Sequence, residues 1–439
     1  MRRIQRAIYI LMLSTLFAGA LGGAVSCSKV QSDTTSDTFR PNFRLTFSVP
    51  VDTKSTTAAG YGDPDNNEGT DNSLSVRDLE VYFFDTEGRL VSSVTDFSDI
   101  RLTPVSSDGY DPHSHLYDVQ MRVSGIMKGL QYRVVILANK RSTLGSSLPF
   151  SVASSDDWMN TGVGNTDEER LYNSLEFNYS STGIKGIRDY LSLNFGMNEN
   201  AYVPMWGFAK LTADAELGEN GRAPEFLPSS GIVELLRALA KVRIDFAPEL
   251  LETVEPTAFN EETLLGGIKL CNPVNTGFMT PAYSKVGSLQ ATPNIINRDR
   301  QGGSPTGLYT NEWINRGQSS DESSVGVYPM YRKGNSFYTY MPEAYMGQAW
   351  MELEFAWKQN GVPTSITHNY KLHFSDYDDA RDYYGVEPGV ALTEEQLEKF
   401  EFPVMRNHYY IYTITGLNPL KLKFEVCEWQ YRSTDIYFN

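Results

Sequence analysis

Every odd-numbered residue from Phe43 to Val51 is apolar and no even-numbered one is, along Phe43-Arg44-Leu45-Thr46-Phe47-Ser48-Val49-Pro50-Val51. Side chains alternate across a strand, so this run has one face to bury and one to leave in water, and only β-structure satisfies it. The same period returns near the far end, where Leu420, Leu422, Phe424 and Val426 alternate with Lys421, Lys423 and Glu425. A slip of one residue would carry every apolar group of either strand into solvent, so register is strongly specified at both ends. Pro50 has no amide donor, which places that end of the first strand at a sheet edge.

Between these two strands the chain reads as many short strands joined by turns, in keeping with 26 tyrosines and 22 phenylalanines among 439 residues. Leu79 to Asp85, the turn Thr86-Glu87-Gly88 and Arg89 to Val94 predict a hairpin. Further strands are expected at Leu116 to Arg122, Tyr132 to Ala138, Ala201 to Phe208, Leu264 to Leu270, Ser336 to Tyr340, Ala349 to Trp357, Ile366 to Phe374 and Tyr409 to Thr415. Short helices are expected where Thr166 with Glu169, and Thr393 with Gln396, form capping boxes. Gly231 to Phe246 begins with helical spacing at Ile232, Leu235, Leu236 and Leu239, then alternates through Val242, Ile244 and Phe246, so helix or strand stays open at its start. Asn272 to Val325, rich in Gly, Asn, Ser, Thr and Pro, is expected to be mostly loop. Trp429 and Tyr431 continue the formerly polar side of the last strand, which implies a bulge or a tail that packs elsewhere.

The N-terminus carries Arg2, Arg3 and Arg6, an apolar run from Ala7 to Leu21, and Leu21-Gly22-Gly23-Ala24-Val25-Ser26-Cys27. This run is short for a spanning helix, and small residues leading to one cysteine are similar to a bacterial lipoprotein signal, with Cys27 lipidated. Ser28 to Thr38 then serves as a tether, and removal of residues 1–26 leaves 413 residues, enough for two domains. The passage Gly218 to Ser230, with Pro224 and Pro228, is the expected junction. Asp52 to Ser73 holds almost nothing to bury and reads as a long exposed loop.

The charge after such processing, 35 basic against 54 acidic residues, repels phosphate backbones and argues against nucleic-acid binding. Catalytic chemistry has few footholds. His113 and His115 lack further zinc ligands nearby, and Asp376, Asp378, Asp379 and Asp382 are read as a solvated helix face. Asp63, Asp65, Asn67, Gly69 and Asp71 hint at a calcium loop, but Glu68 stands where glycine is needed and Leu74 where the bidentate acid is needed. No phosphate loop, nucleophile elbow or HExxH is present, so no cofactor, metal or catalytic residue is expected. The tryptophans, including Trp158, Trp206, Trp350 and Trp357, are assigned mainly to core rather than to sugar-stacking platforms. Cys271 and Cys427 remain beyond Cys27, and whether they pair is left open.

Taken in order, several segments resemble the fimbrillins, the type V pilins and accessory subunits of Gram-negative gut and oral anaerobes. They are Cys27; Leu79 to Gly88; Val203-Pro204-Met205-Trp206-Gly207; Arg237 to Val242; Tyr340-Met341-Pro342-Glu343; and Arg406-Asn407-His408-Tyr409-Tyr410 leading to Val426-Cys427-Glu428-Trp429. The resemblance implies an all-β chain of two tandem transthyretin-like β-sandwich domains with a few short helices, at 42–228 and 229–439, after a signal (1–26) and tether (27–41). It also implies outer-membrane lipoprotein export, proteolytic removal of an N-terminal strand, and assembly with other fimbrial subunits by strand exchange. The removable strand would present Phe43, Leu45, Phe47, Val49 and Val51. Family stalk subunits are cut after arginine, whereas Asp52 to Val76 contains only Lys54, which makes Lys54-Ser55 the candidate processing site or marks a subunit that keeps its strand.

The residues support the mechanism without the name. Burying five such side chains contributes on the order of 7–15 kcal/mol as an upper bound, so the strand is easy to detach covalently and hard to lose energetically. Its excision would leave a groove that templates another strand. The C-terminal segment, with Trp429, Tyr431, Ile436, Tyr437 and Phe438, is the candidate donor. The competing reading is a surface lipoprotein that binds glycans through its sandwiches, which predicts an exposed aromatic row.

Overall fold

A computed structural model describes residues 43–48, 78–104, 114–140 (except 122, 124 and 128), 151–152, 158–178, 203–213, 232–258, 267–272, 276–283, 327–387, 390–417 and 421–428. The chain runs through β1 (Phe43–Ser48), β2 (Leu79–Phe84), β3 (Leu90–Val94), β4 (Ile100–Pro104), β5 (Ser114–Met121), β6 (Gln131–Ala138) and β7 (Ser151–Val152). Helices α1 (Trp158–Thr161) and α2 (Asp167–Ser174) lead to β8 (Glu176–Asn178) and β9 (Met205–Thr212). Then come β10 (Ile232–Arg237), β11 (Ala240–Phe246), α3 (Pro248–Thr253), β12 (Val254–Pro256), β13 (Ile268–Cys271), β14 (Thr276–Phe278), β15 (Val327–Pro329), β16 (Tyr331–Lys333) and β17 (Ser336–Met341). The last elements are β18 (Trp350–Gln359), β19 (Val362–His373), α4 (Tyr377–Tyr384), α5 (Glu394–Glu398), β20 (His408–Gly416) and β21 (Lys421–Glu428).

This is an all-β protein with a few short helices. One sheet has the order β3-β2-β6-β9-β10-β1-β5-β4, a second β16-β17-β11-β20-β21, and a third β12-β18-β13-β15 with β19 paired to β18. A small sheet, β14-β8-β7, completes the set. Strand β10 divides its pairing along its length: Ile232 to Glu234 lie against β1, and Leu235 to Arg237 against β9. It lies beyond residue 228 in sequence, yet it joins the first sheet, while β11 begins the second sheet only two residues later.

The strands of the first sheet separate two cores. Val81, Phe83, Val119, Val134, Ile136, Leu211, Val233 and Leu235 form one. Tyr82, Phe84, Val135, Leu137, Leu171, Tyr172 and Trp206 belong to the other, which continues without a break into Val242, Ile244, Met351, Leu353, Tyr410 and Tyr412. β2 and β6 are therefore buried on both faces, which is why both read as nearly continuous apolar runs rather than alternating ones.

The predicted turns and caps form. Gly88 takes φ +80°, its N–H donates to the Asp85 carbonyl at 3.1 Å, and its own carbonyl accepts from Glu168 N at 3.0 Å, so the β2–β3 turn docks on the start of α2. Thr166 accepts from Glu169 N at 3.1 Å, but the Glu169 carboxylate reaches Asn165 N rather than Thr166 N, a box displaced by one residue. Thr393 and Gln396 make both bonds of theirs.

Three expectations change. Phe43 to Ser48 is not at an edge: β1 lies between β10 and β5, and Pro50 stands two residues past the last paired one, where its missing donor costs the ladder nothing. The segment with helical spacing at Ile232 to Leu239 is strand β10, because Leu235 enters one core and Leu236 the other. Cys271 is a free, buried thiol that burial pushes up to about 12. Gly218 to Ser230 lies outside the described residues.

Candidate functional site

The feature that sets this fold apart from a plain stack of hairpins is the slot filled by β1. On one side it runs antiparallel to β5, with Phe43 opposite Val119, Leu45 opposite Tyr117 and Phe47 opposite His115. On the other it runs parallel to β10, with Arg44 opposite Ile232, Leu45 opposite Val233 and Thr46 opposite Glu234. Val119 and Val233 are fully buried in the first core and Tyr117 packs against it, so the row containing Leu45 is the core-facing row. β1 precedes β2 by a connection, residues 49–78, long enough to be cut without disturbing either strand's pairing.

The wall formed by β10 is held firmly, by residues that the sequence places far apart. Gly207 on β9 lets β10 approach closely; a Cβ there would stand 2.8 Å from Leu235 Cδ2 and 2.9 Å from the Glu234 carbonyl oxygen. Ala238 N donates to the Pro204 carbonyl at 2.9 Å. Arg237 N donates to Asn407 Oδ1 at 3.1 Å, and Asn407 N donates to the Leu239 carbonyl at 3.0 Å. Asn407 does this at φ +56°, a left-handed conformation that asparagine tolerates better than most side chains.

Beside this clamp Arg406 donates from Nε and Nη2 to the two oxygens of Glu343 at 2.9 and 2.8 Å, and from Nη1 to the Met279 carbonyl at 3.1 Å. Both side chains are almost wholly buried, 2% and 5% exposed. His408 follows, its Nδ1 2.7 Å from the Arg406 carbonyl, and burial holds its imidazole down at about 4, so it is neutral at neutral pH. A second buried pair, Arg133 Nε with Glu168 at 2.5 Å, joins β6 to α2 under the Phe208 and Tyr283 rings. Burial raises the Glu168 carboxyl above its ordinary value despite Arg133.

Three motifs, Val203 to Gly207, Arg237 to Val242 and Arg406 to His408, thus converge on the β10–β11 crossing, and the fourth, Tyr340 to Glu343, joins them through Glu343. Their convergence was not visible in the sequence; the available signal was arginine recurring inside otherwise apolar strand ends. Of the expected site residues, Phe43, Leu45 and Phe47 lie on β1. Cys27, Val49, Val51, Lys54, Ser55, Trp429, Tyr431, Ile436, Tyr437 and Phe438 lie outside the described residues.

Enzymatic alternatives gain no geometry. Among the described residues no group of three or more His, Cys, Asp or Glu could hold a metal ion. Asp382 is exposed, and His373 Nδ1 meets Glu401 at 2.8 Å inside the fold. Trp158 and Trp206 are buried, and Tyr383 is exposed without a neighbouring row of exposed rings among the described residues. No described helix is long and apolar enough to cross a membrane.

No protein-family model and no curated protein matches the chain. In fold the chain is similar to solved fimbrial and cell-adhesion proteins. One is the C-terminally truncated tip fimbrial protein Mfa3 of Porphyromonas gingivalis, at TM-score 0.43 and 15% identity over 88% of this chain and 99% of that one. Another is a fimbrial assembly protein of Parabacteroides distasonis, at TM-score 0.41 and 13% identity over 88% and 97%. A third is the fimbrial anchor protein Mfa2 of Porphyromonas gingivalis, at TM-score 0.28 and 10% identity over 88% and 96%.

Proposed function

We propose that this protein is a structural subunit, stalk or accessory, of a cell-surface fimbria that mediates adhesion. In this reading it is exported as an outer-membrane lipoprotein through Cys27, carries two tandem β-sandwich domains, and assembles with other fimbrial subunits by exchanging β1 for a strand of a neighbour. The observation that carries the reading is the place of β1, paired on both sides inside a sheet yet connected to β2 only through residues 49–78. A strand so placed contributes two ladders of backbone hydrogen bonds, and its loss would leave both β5 and β10 with unpaired groups that only another strand satisfies. The incoming strand would have to run parallel to β10 and antiparallel to β5, with apolar side chains in the row now held by Leu45.

The test starts with limited proteolysis in Asp52 to Ser73, with Lys54-Ser55 the expected cut. The nicked protein should keep β1 bound through native size exclusion and release it only in mild denaturant. Released subunits should then associate, with Trp429, Tyr431, Ile436, Tyr437 and Phe438 as donor groups, so that deletion of Gln430 to Asn439 leaves a folded monomer that does not elongate. Equal light scattering from full-length and truncated protein would remove the tail as donor. Release of β1 by nicking alone would overturn the reading.

A further inference from the structure

The two walls of the slot are unequal, and the difference predicts what the subunit does when the slot is empty. β10 is pinned by its pairing to β9 over Leu235 to Arg237 and by the Asn407 and Pro204 bonds at its end. β5 has no such second hold: among the described strand pairings the β4–β5 hairpin joins the rest of the sheet through β1 alone. What else keeps the hairpin in place is side-chain packing, with Ile100, Val119 and Met121 sunk in the first core. Such packing is non-directional and tolerates a lateral shift that a hydrogen-bond ladder does not.

We propose that, once β1 leaves, the β4–β5 hairpin closes on β10 and seals the slot, so that an empty subunit is self-capped until a donor strand pries β5 away. The registers make the closure direct. Tyr117 and Val233 both stand opposite Leu45, Leu116 and Glu234 both opposite Thr46, and Asp118 and Ile232 both opposite Arg44. A sideways move of one strand spacing, about 4.8 Å, therefore brings Tyr117 against Val233 with both still on the core side. β5 is antiparallel to β1 and β1 is parallel to β10, so the new pair is antiparallel, the slightly stronger arrangement per residue. Closure satisfies the backbone groups that strand loss exposes on both walls and protects an edge that would otherwise join indiscriminately. This inference rests on the strand-exchange reading, since it describes the same slot after β1 has gone.

Engineered cysteines read the distance. With β1 in place Leu116 and Glu234 are two strand spacings apart, about 10 Å, beyond the roughly 7 Å limit of a disulfide; after closure they are neighbours at about 5 Å. The chain carries Leu116→Cys with Glu234→Cys, or Asp118→Cys with Ile232→Cys should the first pair fold poorly. Cys27 and Cys427 are replaced by alanine, and a site-specific protease sequence replaces Thr56 to Gly60. The expected result is no cross-link in intact protein, none after cutting, and cross-linking of most chains after the β1 fragment is removed. The oxidised product should refuse a synthetic Pro41 to Val51 peptide that the reduced product binds. Cross-linking in intact protein would overturn the inference, because the hairpin would then move without strand loss. Ready peptide binding with no cross-link would overturn it while leaving strand exchange standing. A fragment that cannot be removed without global unfolding would overturn strand exchange, and the inference with it.

Discussion

Replacing Arg406 by alanine tests whether the crossing between β10 and β11 is held as described. The guanidinium makes three charge-assisted bonds, two to Glu343 at 2.9 and 2.8 Å and one to the Met279 carbonyl at 3.1 Å. Truncation leaves the Glu343 carboxylate buried without its counter-charge, the carbonyl without a donor, and a void where the side chain lay. Breaking one half of a buried pair costs about 3–5 kcal/mol. Set against a total stability of about 5–15 kcal/mol, that is a large fraction. With a urea slope near 3 kcal/mol/M, the midpoint should fall by about 1–2 M. The double variant Arg406→Met with Glu343→Leu removes both charges and refills the space, so it should recover most of the loss. Urea unfolding followed by tryptophan fluorescence, with the slope checked for constancy, measures all three proteins. A loss under about 1 kcal/mol for Arg406→Ala, or a double variant no better than the single one, would refute the argument.

His408 supplies a pH test. Its folded value of about 4 lies below the unfolded value near 6.5, so the unfolded chain takes the proton first. Its contribution is complete above about pH 6.5 and lost as pH falls towards 4, on the order of 3 kcal/mol in all; His408→Gln should lack this excess acid sensitivity in denaturation curves between pH 7 and pH 4. Gly207→Ala should cost about 1–3 kcal/mol through the clash with Leu235 and the Glu234 carbonyl, read as a lower urea midpoint, and an unchanged midpoint would mean that β10 yields. Cys27→Ala should abolish incorporation of labelled fatty acid in cells, and unchanged labelling would remove the lipoprotein assignment.

The sequence showed period and punctuation well, and these located most strands, the β2–β3 hairpin and the two capped helices. It failed where a strand has two buried faces, because periodicity records exposure contrast rather than backbone shape. Leu235 and Leu236 are neighbours that enter different cores, so Ile232 to Leu239 lost its alternation and imitated a helix. The edge assignment of the first strand failed for a simpler reason: proline constrains only residues that would pair, and the ladder stops at Ser48.

The site was harder to see because its parts are distant in sequence. Arg406 and Glu343 are separated by 63 positions and Arg237 and Asn407 by 170, and nothing local in any of the four announces its partner. Their service to the slot is indirect. They fix one end of β10, whose other end is the wall on which β1 lies, with only Val233 to Leu236 between the two. A wall anchored this close to the slot cannot follow an incoming strand, so the adjustment to any strand of different bulk must fall on β5. Donor selection should therefore depend more on Leu116, Tyr117 and Val119 than on Val233, and substitutions on the two walls should separate in their effect on strand capture at equal cost in stability.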